Sequence, residues 1–205
     1  MRQRGELTGV IIAGGLNTRM GRIKGLVPFP DEPLILRTIE RMREACGELL
    51  LVTNDPAAYT PVVGQAVTVI ADRIPHKGPM SGLHAALAQS DGSFFWAVGS
   101  DMPFISASVA QWMLKRLHKS GAKAAVPLIG GQLHPLHGVY LGDCLPSLEQ
   151  TLHTARTGLV RWLGGIEADM PTEKDFTEAG LSVRCVDSFN NPHDYARCLE
   201  QADWQ

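Results

Sequence analysis

The chain has 205 residues, 44% of them hydrophobic and 20% charged, with a formal net charge of -2. Those proportions exclude a disordered or low-complexity protein and suit one globular domain with a substantial core. The near-neutral balance argues against a broad surface for polymeric nucleic acid, but a nucleotide needs only local positive charge.

Arg2 and Arg4 precede an apolar stretch, but Glu6 and Gly9 interrupt it and no small-residue cleavage site follows, so it does not read as a secretory signal. Val10 to Ala13 is too short for a helix and β-branched enough for a buried strand. Leu34 to Cys46 places Leu36, Ile39, Met42 and Ala45 at helical spacing. Leu49 to Thr53 reads as a second strand ending at the turn residues Asn54 and Asp55, and Ala66 to Ala71 as a third, stopping at Asp72. A helix is expected over Pro79 to Gln89, a strand over Phe94 to Val98, and a helix over Val109 to His118. Ala122 to Leu128, Val139 to Leu141 and Leu181 to Val186 read as further strands. Leu145 to Leu152, Thr157 to Leu163 and Pro192 to Gln201 read as helices, the last capped near Asn190 or Asn191. This alternation predicts crossover connections and a mainly parallel sheet covered on both faces. Ligands of such sheets bind beyond the carboxyl ends of the strands, where Gly14, Asp72 and Asp101 all fall.

The stretch Gly14 to Lys24, GGLNTRMGRIK, follows the first strand directly. Paired glycines let backbone N–H groups approach an anion closely, Arg19 can fork onto phosphate oxygens, and Lys24 can add a point charge. The spacing matches neither a Walker A loop nor a dinucleotide fingerprint. A basic surface turn is the bland alternative. Two roles fit Asp101: a hard-cation ligand facing that loop, since magnesium takes one or two carboxylates plus substrate phosphates, or a cap of the following turn. Gly78-Pro79-Met80-Ser81-Gly82 suits a tight turn into a helix, which either starts that helix or meets a base or phosphate. His134, His137 and His193 lack the spacing of a zinc site, and Cys46, Cys144, Cys185 and Cys198 are scattered, as in a reduced cytosolic protein.

Taken together, several segments resemble the molybdenum cofactor guanylyltransferases, the MobA-type nucleotidyltransferases. IIAGGLNTRMGRIK is similar to that family's L-A-G-G-x-S-x-R-M-G-x-x-K signature, and DRIPHKGPMSGLHAAL to its acidic strand end followed by G-P-L-A-G. VGSDMPF resembles C-D-x-P-F, GQLHPLHGVY the G-x-x-x-P-L-x-x-x-Y stretch, and SFNNPHDY the closing N-x-N-T-P-E-D. The resemblance implies a three-layer αβα Rossmann-like nucleotidyltransferase fold over residues 1–205, with a nucleotide-binding half near 7–120 and an acceptor-binding half near 121–205. It implies transfer of GMP from GTP to the terminal phosphate of molybdopterin, with Mg²⁺ as cofactor and molybdopterin-delivering proteins as possible partners. Carried over residue by residue, it gives Ala13, Gly14 and Gly15 to the nucleotide, Arg19 and Lys24 to the phosphates, and Asp101 to the metal. Asn54 goes to the nucleotide, Asp72 and the turn Gly78 to Gly82 to the guanine and ribose pocket, and Pro135, Leu136 and Asn190 to the acceptor. The chain departs from the pattern at Ile23, where the family has Asp, at Ser188, where it has Asn, and at Met80-Ser81, where Leu-Ala is usual. The rivals are a cytidylyltransferase on the same pterin, a sugar-phosphate nucleotidyltransferase, and a nucleotide-binding regulatory protein without catalysis. A soluble, cytoplasmic protein with no membrane or nucleic-acid partner is expected.

Overall fold

The computed structural model describes residues 6–14, 21–72, 74, 77–154 and 156–202. Strand β1, Leu7–Ile12, is buried along its whole length, which its unbroken apolar and β-branched run requires of a central strand. It pairs in parallel with β2, Cys46–Val52, on one side and with β4, Phe94–Gly99, on the other. β3, Thr68–Ile70, extends the sheet beyond β2. β8, Gly138–Leu141, runs antiparallel to β4 and to β5, Ala124–Ala125, and β9, Ala168–Asp169, closes the far edge parallel to β5. The order is β3-β2-β1-β4-β8-β5-β9, so β8 alone of these strands runs against the rest. A separate hairpin, β6 Leu128–Ile129 with β7 Gln132–Leu133, turns through Gly130 and Gly131 at φ +61° and +71°. Glycine suits both positions of such a two-residue turn.

The side-chain alternation of the strands divides the core. Ile11, Leu51, Trp96 and Val98 face helices α1 (Leu34–Arg43), α2 (Pro56–Val63) and α4 (Ala107–Ser120). Val10, Ile12, Leu50, Phe95 and Ala97 face α3 (Pro79–Gln89), α5 (Leu145–Leu152) and α6 (Leu159–Leu163). Three layers result, αβα, as expected. α7 is Glu173–Glu178, and α8, Pro192–Glu200, packs Cys198 with Val27, Phe29, Phe104 and Phe189 in a third, smaller cluster.

Three expectations are corrected. The helix expected to reach Cys46 ends at Arg43, because Cys46 opens β2 opposite Leu7. The strand expected over 122–128 is split between β5 and β6, with Val126 and Pro127 between them. Leu181 to Val186 forms no strand: Val183–Val186 is a 3-10 turn capped by Ser182, whose side chain accepts from the Arg184 amide, and β9 holds the sheet edge instead. Arg116 ties that edge down, placing Nε 2.5 Å from one oxygen of Asp169 and its terminal nitrogen 2.8 Å from the other. No described helix is long and apolar enough to cross a membrane.

Candidate active site

The carboxyl ends of the central strands are stitched beyond the ladders themselves. The Ala13 amide donates to Val52, the Thr53 amide to Ile70, and the Ser100 amide to Ile12, at 2.8, 3.0 and 3.1 Å. These bonds bring the strand exits Ala13-Gly14, Thr53-Asn54 and Ser100-Asp101 side by side on one edge. A cleft of about 140 Å³ opens there, lined by Ala13, Gly14, Lys24, Tyr59, Ser100, Asp101 and Leu136 among others.

Lys24 is the first residue of a 3-10 turn, Lys24–Leu26, that folds back over this cleft. Its ammonium donates to Asp101 Oδ2 at 2.9 Å and to Asn190 Oδ1 at 2.8 Å. Both charged side chains are about one-fifth exposed (20% and 21%), so the pair stands at the mouth of the cleft rather than in the core. Asn190 comes from the segment before α8. The Phe189 amide donates to the Asp101 carbonyl at 3.2 Å, and Asn191 caps α8 by accepting from the Asp194 amide at 2.9 Å. The closing segment therefore reaches the strand exit that carries the carboxylate. Behind Lys24, Gly25 packs on Tyr59: a Cβ there would stand 2.9 Å from the phenol oxygen and 3.2 Å from Ser100 Cβ. Burial pushes the Tyr59 phenol above its ordinary pKa, and hydrogen bonding with Ser100 and the Gly25 backbone pulls partly the other way.

The expected base side lies next to it. Ile12, Gly14, Thr53, Asn54, Asp72, Gly78 and Gly82 line one small cavity. Asp72 accepts from the Ile74 amide at 3.0 Å. Gly78 sits at φ +64°, a left-handed conformation that starts α3 and that a side chain would strain. Gly82 lets α3 lie on β1, since a Cβ there would approach Ile12 Cγ2 to 3.0 Å.

On the opposite side, the segment entering β8 brings Leu136 to the cleft, while Pro135 accepts from the Tyr140 hydroxyl through its carbonyl. Of the residues read from the sequence, the structure brings Ala13, Gly14, Lys24, Asp101 and Leu136 to one cleft, with Asn190 on Lys24. Asn54, Asp72, Gly78 and Gly82 gather in the adjoining cavity. Pro135 borders Leu136, and Gly15 and Arg19 lie outside the described residues. Among the described residues no group of three or more His, Cys, Asp and Glu side chains could hold a metal ion.

The profile of the MobA-like NTP transferase domain matches residues 9–170, most of the chain and all but Asn190 of the described residues just discussed. The chain belongs to the MobA-like NTP transferase family. It is thus a nucleotidyltransferase. It is 27% identical over 198 residues to a probable molybdenum cofactor guanylyltransferase of Pelotomaculum thermopropionicum, covering 97% of this chain and 94% of the relative. A probable molybdenum cofactor guanylyltransferase of Thermococcus sibiricus is 32% identical over 150 residues, 71% of this chain and 74% of that one. Among solved structures, the molybdopterin-guanine dinucleotide biosynthesis protein A of Archaeoglobus fulgidus superposes with a TM-score of 0.83 at 20% identity, over 97% of this chain and 100% of that one.

In the transferase, two of the three departures from the family pattern have a structural reading. Ile23, where Asp is usual, is half-buried and packs against the core on the α1 face, leaving Asp101 as the carboxylate on Lys24. Met80 and Ser81 point into the protein, not the cavity: both are fully buried, and Ser81 donates its hydroxyl to the Ile74 carbonyl at 2.5 Å. Nothing in the structure explains Ser188. Sequence reasoning missed Tyr59, because Asn54-Asp55 reads as a turn. Asp55 in fact caps α2, accepting from the Ala58 amide at 3.1 Å, and Pro56 sits in the first turn. An Asp-Pro pair at a helix start is a usable signal. Ser100 and His137 carried no such signal.

Proposed function

We propose that this transferase moves GMP from GTP to the terminal phosphate of molybdopterin and releases pyrophosphate, with Mg²⁺ as its metal. The observation that carries this reading is the Lys24 ammonium held on Asp101 beside Gly14, at the strand edge where phosphates bind in such sheets, in a chain of this family. The names of the relatives support guanine as the base and molybdopterin as the acceptor.

In the proposed reaction an acceptor phosphate oxygen attacks the α-phosphorus of GTP. The bond from that phosphorus to the bridging oxygen breaks, and pyrophosphate leaves with the electron pair. The attacking oxygen is already ionised at neutral pH, so no general base is needed. What the protein must do is align two anions that repel and offset charge on the leaving group. The Gly14 backbone meets the nucleotide where a side chain would obstruct it. Lys24 turns from Asp101 to the phosphates, with Asn190 keeping its Nζ at the cleft mouth.

The donor set fits magnesium. One carboxylate at a phosphate cleft suits an ion that completes its shell with substrate oxygens and water, and it could not form a closed protein cage. The cation already resting on Asp101 Oδ2, the Lys24 ammonium, marks that oxygen as a place for positive charge. Asp101 would hold the ion, and bound magnesium would supply neutralisation of the phosphate oxygens.

The test is pyrophosphate release with Mg²⁺ and molybdopterin, run in parallel with GTP, CTP and ATP. Release with GTP alone is expected. Release with CTP instead would overturn the base assignment, and none with any nucleotide would overturn the acceptor.

A further inference from the structure

His137 takes no part in phosphate handling, yet its conformation is unusual. Among the described residues it is the one non-glycine in the left-handed region, at φ +73°, and its side chain is wholly buried. Its bonds reach the segment that carries Asp101 from both ends. At the near end its amide donates to the Ala97 carbonyl at 2.7 Å, the last rung between β8 and β4 before β4 runs out to Asp101. At the far end its ring accepts through Nε2 from the Ser106 amide at 3.0 Å, and Ser106 is the N-cap of α4. The ring also lies 5.2 Å from that of Trp96 on β4.

On its other side His137 follows Leu136, which lines the cleft. The left-handed turn sends the preceding residues back across the strand exit. Leu136 consequently lies over Gly99, where a Cβ would be 3.2 Å from Leu136 Cδ1 and 2.6 Å from Asp101 Oδ1. Pro135 is fixed through its carbonyl, which accepts from the Gly138 amide at 3.2 Å and from Tyr140. One residue thus joins two loops that approach the cleft from strands of opposite direction.

We propose that His137 is a positioning residue: its Nε2 fastens the Asp101 loop to the Leu136 loop and so sets the spacing between the carboxylate and the acceptor. The inference rests on the guanylyl-transfer reading for its substrate, and on the hydrogen bond alone for its mechanism. Burial holds the imidazole neutral near neutral pH, its pKa lowered from 6.5 to about 4, which keeps Nε2 available as an acceptor.

The experiment compares His137→Phe, which keeps a buried ring without an acceptor, with His137→Gln, whose side-chain oxygen can reach the Ser106 amide. Hydrogen exchange by NMR reads the Ser106 and Asp101 amides directly. Steady-state kinetics separate acceptor from nucleotide. In His137→Phe both amides should exchange faster, and kcat/KM for molybdopterin should fall about tenfold or more, the order of one lost hydrogen bond or a small misplacement. The Kd for GTP measured without Mg²⁺ should stay within about twofold, because the Ala13-Gly14 and Asp72 segments are tied by bonds that His137 does not make. His137→Gln should restore both exchange and acceptor kinetics relative to His137→Phe. Unchanged Ser106 exchange in His137→Phe would overturn the proposal. So would faster exchange with unaltered acceptor kinetics, or an equal loss for GTP and acceptor. If the unmodified protein transfers no nucleotide to molybdopterin, the guanylyl-transfer reading fails. The proposal then stands or falls on whether Asp101 exchange follows Ser106 across the two variants.

Discussion

Lowering the pH from 7.5 to 5 should remove about 2 kcal/mol of folding stability through His137 alone. Its imidazole is wholly buried, and burial brings its pKa from 6.5 to about 4. A hydrogen bond with its own backbone pulls partly the other way. As pH falls, the unfolded chain therefore takes up its proton first. The contribution is intact above pH 6.5, declines between 6.5 and about 4, and is flat below. At pH 5 the gap between the two states spans roughly 1.5 pH units, at about 1.4 kcal/mol each. The assay is urea denaturation of the unmodified protein and His137→Gln at pH 7.5, 6.5 and 5, with equal m-values as the check on two-state behaviour. His137→Gln should start lower and lose about 2 kcal/mol less over that range, the other titrating groups cancelling in the difference. Parallel losses in the two proteins would refute the buried, neutral imidazole.

Three more outcomes follow from the cleft. Asp101→Ala should abolish Mg²⁺-dependent pyrophosphate release while circular dichroism and Tm show a folded protein; near-full activity would remove Asp101 from the reaction. Lys24→Ala should lower kcat/KM for GTP by the roughly 1.5–3 kcal/mol of a charge-assisted contact, about ten- to hundred-fold, and an unchanged value would take Lys24 out of the site. Gly25→Ala should cost about 1–3 kcal/mol by overpacking against Tyr59 and Ser100, and should raise KM for GTP as the Lys24 turn is displaced. Chemical denaturation and initial rates measure both, and a change below about 0.5 kcal/mol would contradict the packing described.

Much of the first half of the chain was legible because its signals are local. β1, β4 and α3 follow from apolar runs that end at Gly14, at Asp101 and at the Gly78-Pro79 start, and α3 keeps its expected bounds, Pro79–Gln89. The juxtaposition of Lys24 with Asp101 and Asn190 was not visible as geometry, because those contacts span 77 and 166 residues. The segment at 181–186 misled for the opposite reason: a β-branched run carries strand propensity, but tertiary packing of Cys185 and Val186 decided for a turn. His137 was read only for zinc spacing. Its role depends on a backbone conformation and on a partner 31 residues away, neither of which composition encodes.

The reversed strand β8 has a consequence for how such a site can diversify. Because β8 runs against β5 and β4, the chain leaves β5 and re-enters the sheet on the edge where the cleft lies, and this excursion from Val126 to His137 brings Leu136 to the cleft. An ordinary parallel crossover would have spent those residues on the far side. Here a hairpin can lengthen, shorten or change its side chains without moving Gly14, Lys24 or Asp101. In the proposed reaction this hairpin stands on the acceptor side, so changes in it alter the acceptor's surroundings and leave the residues proposed for the triphosphate in place.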